Sequence, residues 1–523
     1  MRIYFGGGLN ESQTPDINEA ANGSVNFELS KDNYKLVPRL PFDLKGTATN
    51  GAEVLGIMQL VKRDDTETTL IQAGATVYKW DGASTFSSQG TVNASSQLRD
   101  TYWSLDDYLV VTDLQKETEV SKWDGSTFST LTTGLGSALY AKYGMVHQGR
   151  VWLFNVKTTT DTPHLMVASA FENPTSYDTT NRATSGTFSS GLEAFYMLSP
   201  DLRPVNGVAK TIAGDLVIST KDGALFKLSG TGPSSYKWDN FYPASNAVGD
   251  ESIVATGNDV MYMRRGGNIE SLVATQSYGD VAADDLSRWI PETTANRTEA
   301  IAIYDQQNQK VLFFSEGKVL VFFKDVFYSG VVLGEGGQRA KLSPWSVYTT
   351  GHDSGFDTAA AKYLKRPGTT EYSVYFGGPA GQVYDLNGSG SSGDGGSEEI
   401  QVIRKTRFIS DKDGINFLRH VTRGNVRYRR TNAVDFDIEL DWGDEYNSST
   451  STVPLKGPPP GSAVAVYGGS VFYGGSYYFN QGIAFVSKIS HQNWSAVGKG
   501  PGCFMTCSTL SDLLYQVDHV EIL

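Results

Sequence analysis

Val77-Tyr78-Lys79-Trp80-Asp81-Gly82, followed closely by Ser84-Thr85-Phe86, returns as Val120-Ser121-Lys122-Trp123-Asp124-Gly125, followed by Ser126-Thr127-Phe128. The two tryptophans stand 43 residues apart. Four-stranded propeller blades repeat every ~40–45 residues. In each copy an apolar strand ends on Trp, which caps a blade core, and Asp-Gly supplies the tight reversal into the next strand.

Working outward, the same strand–turn–strand rhythm recurs with the motif worn away. Asp215–Thr220 turns through Lys221-Asp222-Gly223 into Ala224–Leu228, and Asp259–Met263 turns through Arg264–Gly267 into Asn268–Leu272. Lys310–Phe314 turns through Ser315-Glu316-Gly317 into Lys318–Phe322, and Tyr372–Phe376 turns through Gly377–Gly381 into Gln382–Leu386. Period-2 apolar runs broken by Gly and Asp are strands and hairpins. The reading is an all-β chain holding a β-propeller of about six irregular blades over residues 51–386, with an insertion at about 155–205. Asn387–Ser397 is the single low-complexity stretch, so 387–399 reads as a Gly/Ser linker or mobile loop. Residues 1–50 and 400–523 lack the blade rhythm, and together they are expected to form a separate β-sandwich or barrel-like platform. A short helix is expected only around 280–290, ending at Ile290-Pro291.

Composition agrees. The 523 residues include 56 Gly, 27 Tyr, 25 Phe and 9 Trp, with 39% hydrophobic and 19% charged residues, enough apolar matter for a large core and many tight turns. A net charge of -13 is a poor footprint for gripping phosphates, though it does not stop DNA from passing without sticking. Cys503 and Cys507 are too few for a disulfide scaffold and read as ordinary thiols. Met1–Gly8 carries no signal-type apolar core, and no run reaches the ~20 apolar residues of a membrane helix. Synthesis and assembly in a reducing cytoplasm are therefore expected.

Enzyme signatures are absent: there is no Walker loop, no H-E-x-x-H and no G-x-S-x-G. His147, His164, His352, His420, His491 and His519 are scattered. Ser121–Phe128 resembles a sialidase Asp-box, but its Asp is one place late and Phe stands for Trp, so it reads as a turn. Asp411-Lys412-Asp413-Gly414 begins like a calcium loop, but Phe417 and Leu418 occupy the place of the later ligands. No catalytic residue, cofactor or metal site is expected.

Two stretches invite a binding role. Val434–Asp441 alternates, so as a strand it sets Asp435, Asp437, Glu439 and Asp441 on the face opposite Val434, Phe436, Ile438 and Leu440. That acidic face either pairs across a hairpin with Arg427 and Arg429 or lines a channel. Tyr467–Phe479 mixes Gly with aromatics. Phe472, Tyr473, Tyr477 and Tyr478 suit subunit contact, and an aromatic hairpin or a sugar platform would use the same residues.

Gly8-Leu9-Asn10-Glu11, Gly23–Leu29 and Pro38–Leu44 resemble the opening of the β-propeller tail nozzle proteins of short-tailed bacteriophages, also called tail tubular protein B or tail hub. The Trp-Asp-Gly turns and the Gly/aromatic-rich C-terminal part fit the same picture. The resemblance implies a virion protein forming a homohexameric ring, bound to an adaptor or portal-side ring and to tail fibre or spike proteins. Such a ring retains and then passes genomic DNA without specific binding, and the family has no catalytic residues to carry over. The alternative is a carbohydrate-binding or glycoside-hydrolysing propeller.

Overall fold

The computed structural model describes residues 2–4, 7–12, 18–186, 188–242, 247, 249–257, 259–272, 284–333, 338–352, 355–388, 394–395 and 400, and beyond these only strands within 402–522. Seven consecutive four-stranded antiparallel sheets form a seven-bladed β-propeller. In blade 1 the strands, from the innermost outward, are Val54–Val61, Glu67–Ala73, Thr76–Trp80 and Phe86–Thr91. Blade 2 is built from Leu98–Trp103, Tyr108–Asp113, Ser121–Trp123 and Phe128–Thr130. Blade 3 follows with Tyr140–His147, Arg150–Lys157, Asp161–Ala168 and Phe195–Leu198. Blades 4 and 5 begin with Val205–Lys210 and Ile253–Ala255. Blade 6 has Ile301–Asp305, Lys310–Ser315, Lys318–Phe323 and, after an excursion, Trp345–Tyr348.

Blade 7 is closed by the other end of the chain. Its three inner strands are Ala361–Lys365, Tyr372–Gly377 and Gln382–Asp385, and its outer strand is Asp43–Thr47. Gln382 pairs with Thr47 and Asp385 with Asp43, so the first and last parts of the propeller are knitted by backbone hydrogen bonds.

The expected six blades become seven. Of the six hairpins expected from sequence, those of blades 1 and 2 join the third and fourth strands, and those of blades 4, 5, 6 and 7 join the second and third. The missed blade 3 occupies much of the stretch read as an insertion, and the true excursion is the shorter segment 169–194. Residues 1–50, expected outside the propeller, contain its closing strand. The expected helix near 280–290 is a 3-10 turn at Leu286–Trp289 and an α-turn at Pro291–Thr294. Pro291 starts the second turn instead of ending the first, because its missing N–H costs nothing at the first helical position. Lys324–Ser329 is a further short helix.

Middle strands are buried on both faces because each blade packs between two others, so Tyr108–Asp113 is buried at every position. One cluster joins Trp152, Phe154 and Phe195 of blade 3 to Leu216, Ile218, Phe226 and Trp238 of blade 4. The repeat motif works as its spacing suggests. Trp80 and Trp123 end third strands and are buried; Trp123 Nε1 donates to Thr68 Oγ1 of blade 1 at 3.0 Å. Asp124 Oδ1 accepts the N–H groups of Ser126 and Thr127, both at 2.8 Å, so this carboxylate is consumed by its own turn. Gly82 has φ +89°, and a Cβ there would stand 2.3 Å from Pro367 in blade 7.

The N-terminal segment straps onto blade 6. Gly8 N donates to Ser343 O and Leu9 N to Trp345 O, both at 2.7 Å, and Asn26 N donates to Val347 O at 2.8 Å. A Cβ on Gly8 would meet Trp345 O at 2.2 Å, so only glycine allows this approach. Glu11 accepts the N–H groups of Glu292 and Thr293 at 2.7 and 2.9 Å, capping the α-turn. Leu9, Ala20, Phe27 and Phe42 share one buried cluster with Trp345, Phe376 and Tyr384.

Strands from both chain ends also meet. Phe27–Ser30, Asn33–Pro38, Tyr515–Ile522, Gly424–Arg430 and Val486–Gln492 form one sheet in that order, with Arg2–Tyr4 also pairing to Tyr515–Ile522. A second sheet has the order Val402–Lys405, Pro501–Cys507, Phe436–Gly443, Ser448–Leu455.

Candidate functional site: a closed hub

The natural place for a site in a propeller is the axial channel lined by the innermost strands. Here these strands carry charge. Arg99 of blade 2 donates Nε and Nη2 to Oε1 and Oε2 of Glu251, which leads into blade 5, both at 2.5 Å. Blades 2 and 5 are not neighbours in a ring of seven, so this bidentate pair spans the centre. Lys142 of blade 3 reaches Asp250 at 2.8 Å, and Lys362 of blade 7 pairs with Asp100 of blade 2. Both skip a blade, so they too close the middle.

Several further polar atoms of these strands are engaged as well. Arg99 Nη1 donates to Leu55 O at 2.8 Å and Nη2 to Ala359 O at 2.9 Å, touching blades 1 and 7. Tyr143 OH donates to Asp250 Oδ1 at 2.6 Å. Lys210 Nζ donates to Val146 O at 2.7 Å, and Thr101 Oγ1 donates to Gly144 O at 2.6 Å. Burial works against the Arg99 charge, but Glu251 first, then Asp100 and Asp113, outweigh it and raise its pKa. Burial and then Asp250 hold the Tyr143 hydroxyl protonated far above its ordinary range. Chemically, this is a network of matched charges. Its cations face carboxylates or carbonyls, and its carboxylates face cations or a phenol.

His147 ends the inner strand of blade 3, buried against Trp152 with ring centres 6.3 Å apart. Burial first, and then the Lys210 charge, push its pKa down to about 4, so it is neutral. Among the described residues, no group of His, Cys, Asp and Glu is arranged to hold a metal ion. No helix there is long and apolar enough to cross a membrane.

The residues singled out from sequence lie elsewhere. Asp437, Glu439 and Asp441 are in Phe436–Gly443, where their backbone partners are Pro454, Thr452 and Thr450 on one side. On the other side Glu439 faces Phe504 and Asp441 faces Gly502. Arg427 and Arg429 belong to the other sheet, paired with Ile489 and Ser487 and with His519 and Gln516, so the acidic strand and the arginine strand form no hairpin. Tyr478 starts a short strand that runs parallel to Val464–Val466. Asp435, Phe472, Tyr473 and Tyr477 lie outside the described residues. Cys503 and Cys507 sit in one strand, opposite Leu440 and Val402 respectively. Sequence reading missed the hub altogether. Its signal was charge within inner strands, as in Leu98-Arg99-Asp100 and Ala361-Lys362-Tyr363.

No protein-family model and no curated protein matches the sequence. Among solved structures, the chain is similar to a virginiamycin B lyase from Staphylococcus aureus, with 10% identity over 66% of this chain and 96% of that one, at a TM-score of 0.40. It is similar to YCF48 from Cyanidioschyzon merolae, with 11% identity over 66% and 98% of the two chains, at 0.38. The WD40 β-propeller domain of Doa1 matches with 9% identity over 66% and 96%, at 0.38. Likeness at this level carries no argument about activity.

Proposed function

We propose that this chain is a structural virion protein, a subunit of the nozzle ring of a short bacteriophage tail, and that it acts as a wall, not as an enzyme. The observation that carries this reading is the closed hub. Arg99–Glu251, Lys142–Asp250 and Lys362–Asp100 bridge the place where a propeller would hold a substrate, each charge facing its opposite. Such a propeller serves as a stiff body, and any passage for DNA lies between subunits. The resemblance of Gly8–Glu11, Gly23–Leu29 and Pro38–Leu44 to the nozzle family supplies the second support. In this reading residues 400–523, with strands of the N-terminal segment, are the platform around the conduit. The acidic strand is its lining, and repulsion between carboxylates and phosphates keeps DNA from sticking. Ring closure uses head-to-tail interfaces between identical copies, with a portal-side ring and fibre or spike proteins as further partners.

The test is the oligomeric state of the purified chain. Sedimentation and negative-stain images at high concentration are expected to show closed rings, homohexameric as in the family. Monomers alone, with no assembly when virion components are added, overturn the proposal.

A further inference from the structure

Asn387–Ser397 has the composition of a flexible linker. Its described residues behave otherwise. Asp394 is fully buried, and its carboxylate pairs with the buried guanidinium of Arg39. Arg39 Nη1 donates to Asp394 Oδ1 at 2.7 Å, and Nη2 donates to Oδ2. Oδ1 also accepts the N–H of Phe42 at 3.2 Å. The rest of the guanidinium is used as well: Nε donates to Asn26 Oδ1 at 2.9 Å, Nη1 to Leu40 O at 3.0 Å and Nη2 to Thr349 O at 2.9 Å. Its carbon stands 5.5 Å from the ring centre of Phe356.

The glycines here serve close approach. Gly395 has φ +61°, and a Cβ on it would lie 2.4 Å from His352 Nε2. A Cβ on Gly388 would fall 2.3 Å from Asp43 Cγ. Gly395 N also donates to Phe42 O at 2.8 Å.

We infer that Arg39 and Asp394 are a clasp. It fastens the chain leaving blade 7 to the N-terminal strap and to the exit of blade 6, and so fixes where the chain beyond residue 400 departs from the propeller. A buried carboxylate is tolerated only with its partner in place, so the clasp holds one arrangement and disfavours partly docked ones. Arg39 and Asp394 are positioning residues.

Glu398 and Glu399, close beyond the clasp, allow a direct test on the full chain with a glutamate-specific endopeptidase. Asp394→Ala is expected to speed cleavage at 398–399 by roughly tenfold or more, through local opening, and by more than any fall in the unfolding midpoint of the propeller tryptophans accounts for. Asp394→Asn, which keeps an acceptor for Phe42 N–H, gives an intermediate rate and serves if the alanine variant does not fold. Arg39→Met combined with Asp394→Leu leaves no buried charge and returns the rate toward that of the unaltered chain. An unchanged rate in the single variants overturns the clasp. So does a rate that rises only in step with unfolding of the whole propeller.

Discussion

Phe42 offers the sharpest test of whether the strap belongs to the propeller core. Its ring is fully buried and meets His352, Phe356, Phe376 and Tyr384 edge-on, with centroids 5.6, 5.4, 5.3 and 5.1 Å apart. Phe→Ala in a packed core costs about 3–5 kcal/mol. Edge-to-face ring pairs add about 0.5–1.5 kcal/mol each beyond buried area, not additively, which puts Phe42→Ala near the upper end, ~4–5 kcal/mol. Phe42→Leu refills part of the space and is expected to cost about half as much. Phe171, 40% exposed in the excursion of blade 3, is the control; its replacement by alanine should stay within about 0.5–1 kcal/mol. The assay is denaturant unfolding followed by tryptophan fluorescence, compared at constant slope. If Phe42→Ala costs no more than Phe171→Ala, the strap is not part of the core and the reasoning fails.

Four further outcomes follow from named contacts. Glu251→Gln keeps the shape but removes the charge facing Arg99, whose three carbonyl partners remain, and is expected to cost about 2 kcal/mol in the same assay. A cost no greater than that of an exposed pair would contradict the hub. His147, held near pKa 4 when folded against an ordinary 6.5, is protonated in the unfolded chain first. Its contribution, about 3 kcal/mol, is therefore complete above pH 6.5 and lost as pH falls toward 4. His147→Gln should flatten the stability profile across that window, and an unchanged slope would show that His147 is not held neutral. Gly8→Ala, which drives a Cβ into Trp345 O, is expected to destabilise by about 1–3 kcal/mol. Gly232→Ala, with nothing within 4 Å, should not destabilise, and equal costs would refute the close approach. Under the proposed nozzle role, Asp437→Lys with Glu439→Lys is expected to leave rings intact and impair genome delivery, and normal infectivity would remove these residues from the proposed lining.

Much of the propeller is local information and was legible. Trp-Asp-Gly turns and the Lys310–Phe322 type of hairpin announce themselves, because a tight reversal and two apolar runs lie within a dozen residues. Blade 3 escaped for local reasons. Its second hairpin turns through Thr158-Thr159-Thr160, with no Gly or Asp, and its register shifts between Phe154 and Val156. The segment 169–194 then delays its fourth strand.

What stayed hidden is non-local. Asp43–Thr47 lacks the blade rhythm around it and finds its partner only at Gln382–Asp385. The hub pairs join residues as far apart as Arg99 and Glu251, and only the closed ring brings them together. Asp394 carries the sole charge in Asn387–Ser397, a clue that composition alone buries under the glycines. The acidic strand was legible as a strand, but its neighbours, Ser448–Leu455 and Pro501–Cys507, were not.

Electron cryomicroscopy of the purified assembly is the decisive measurement. A ring of identical subunits around a shared opening is expected, each with a seven-bladed propeller whose hub is bridged between Arg99 and Glu251. A lone propeller with an open, ligand-filled axial channel would contradict it.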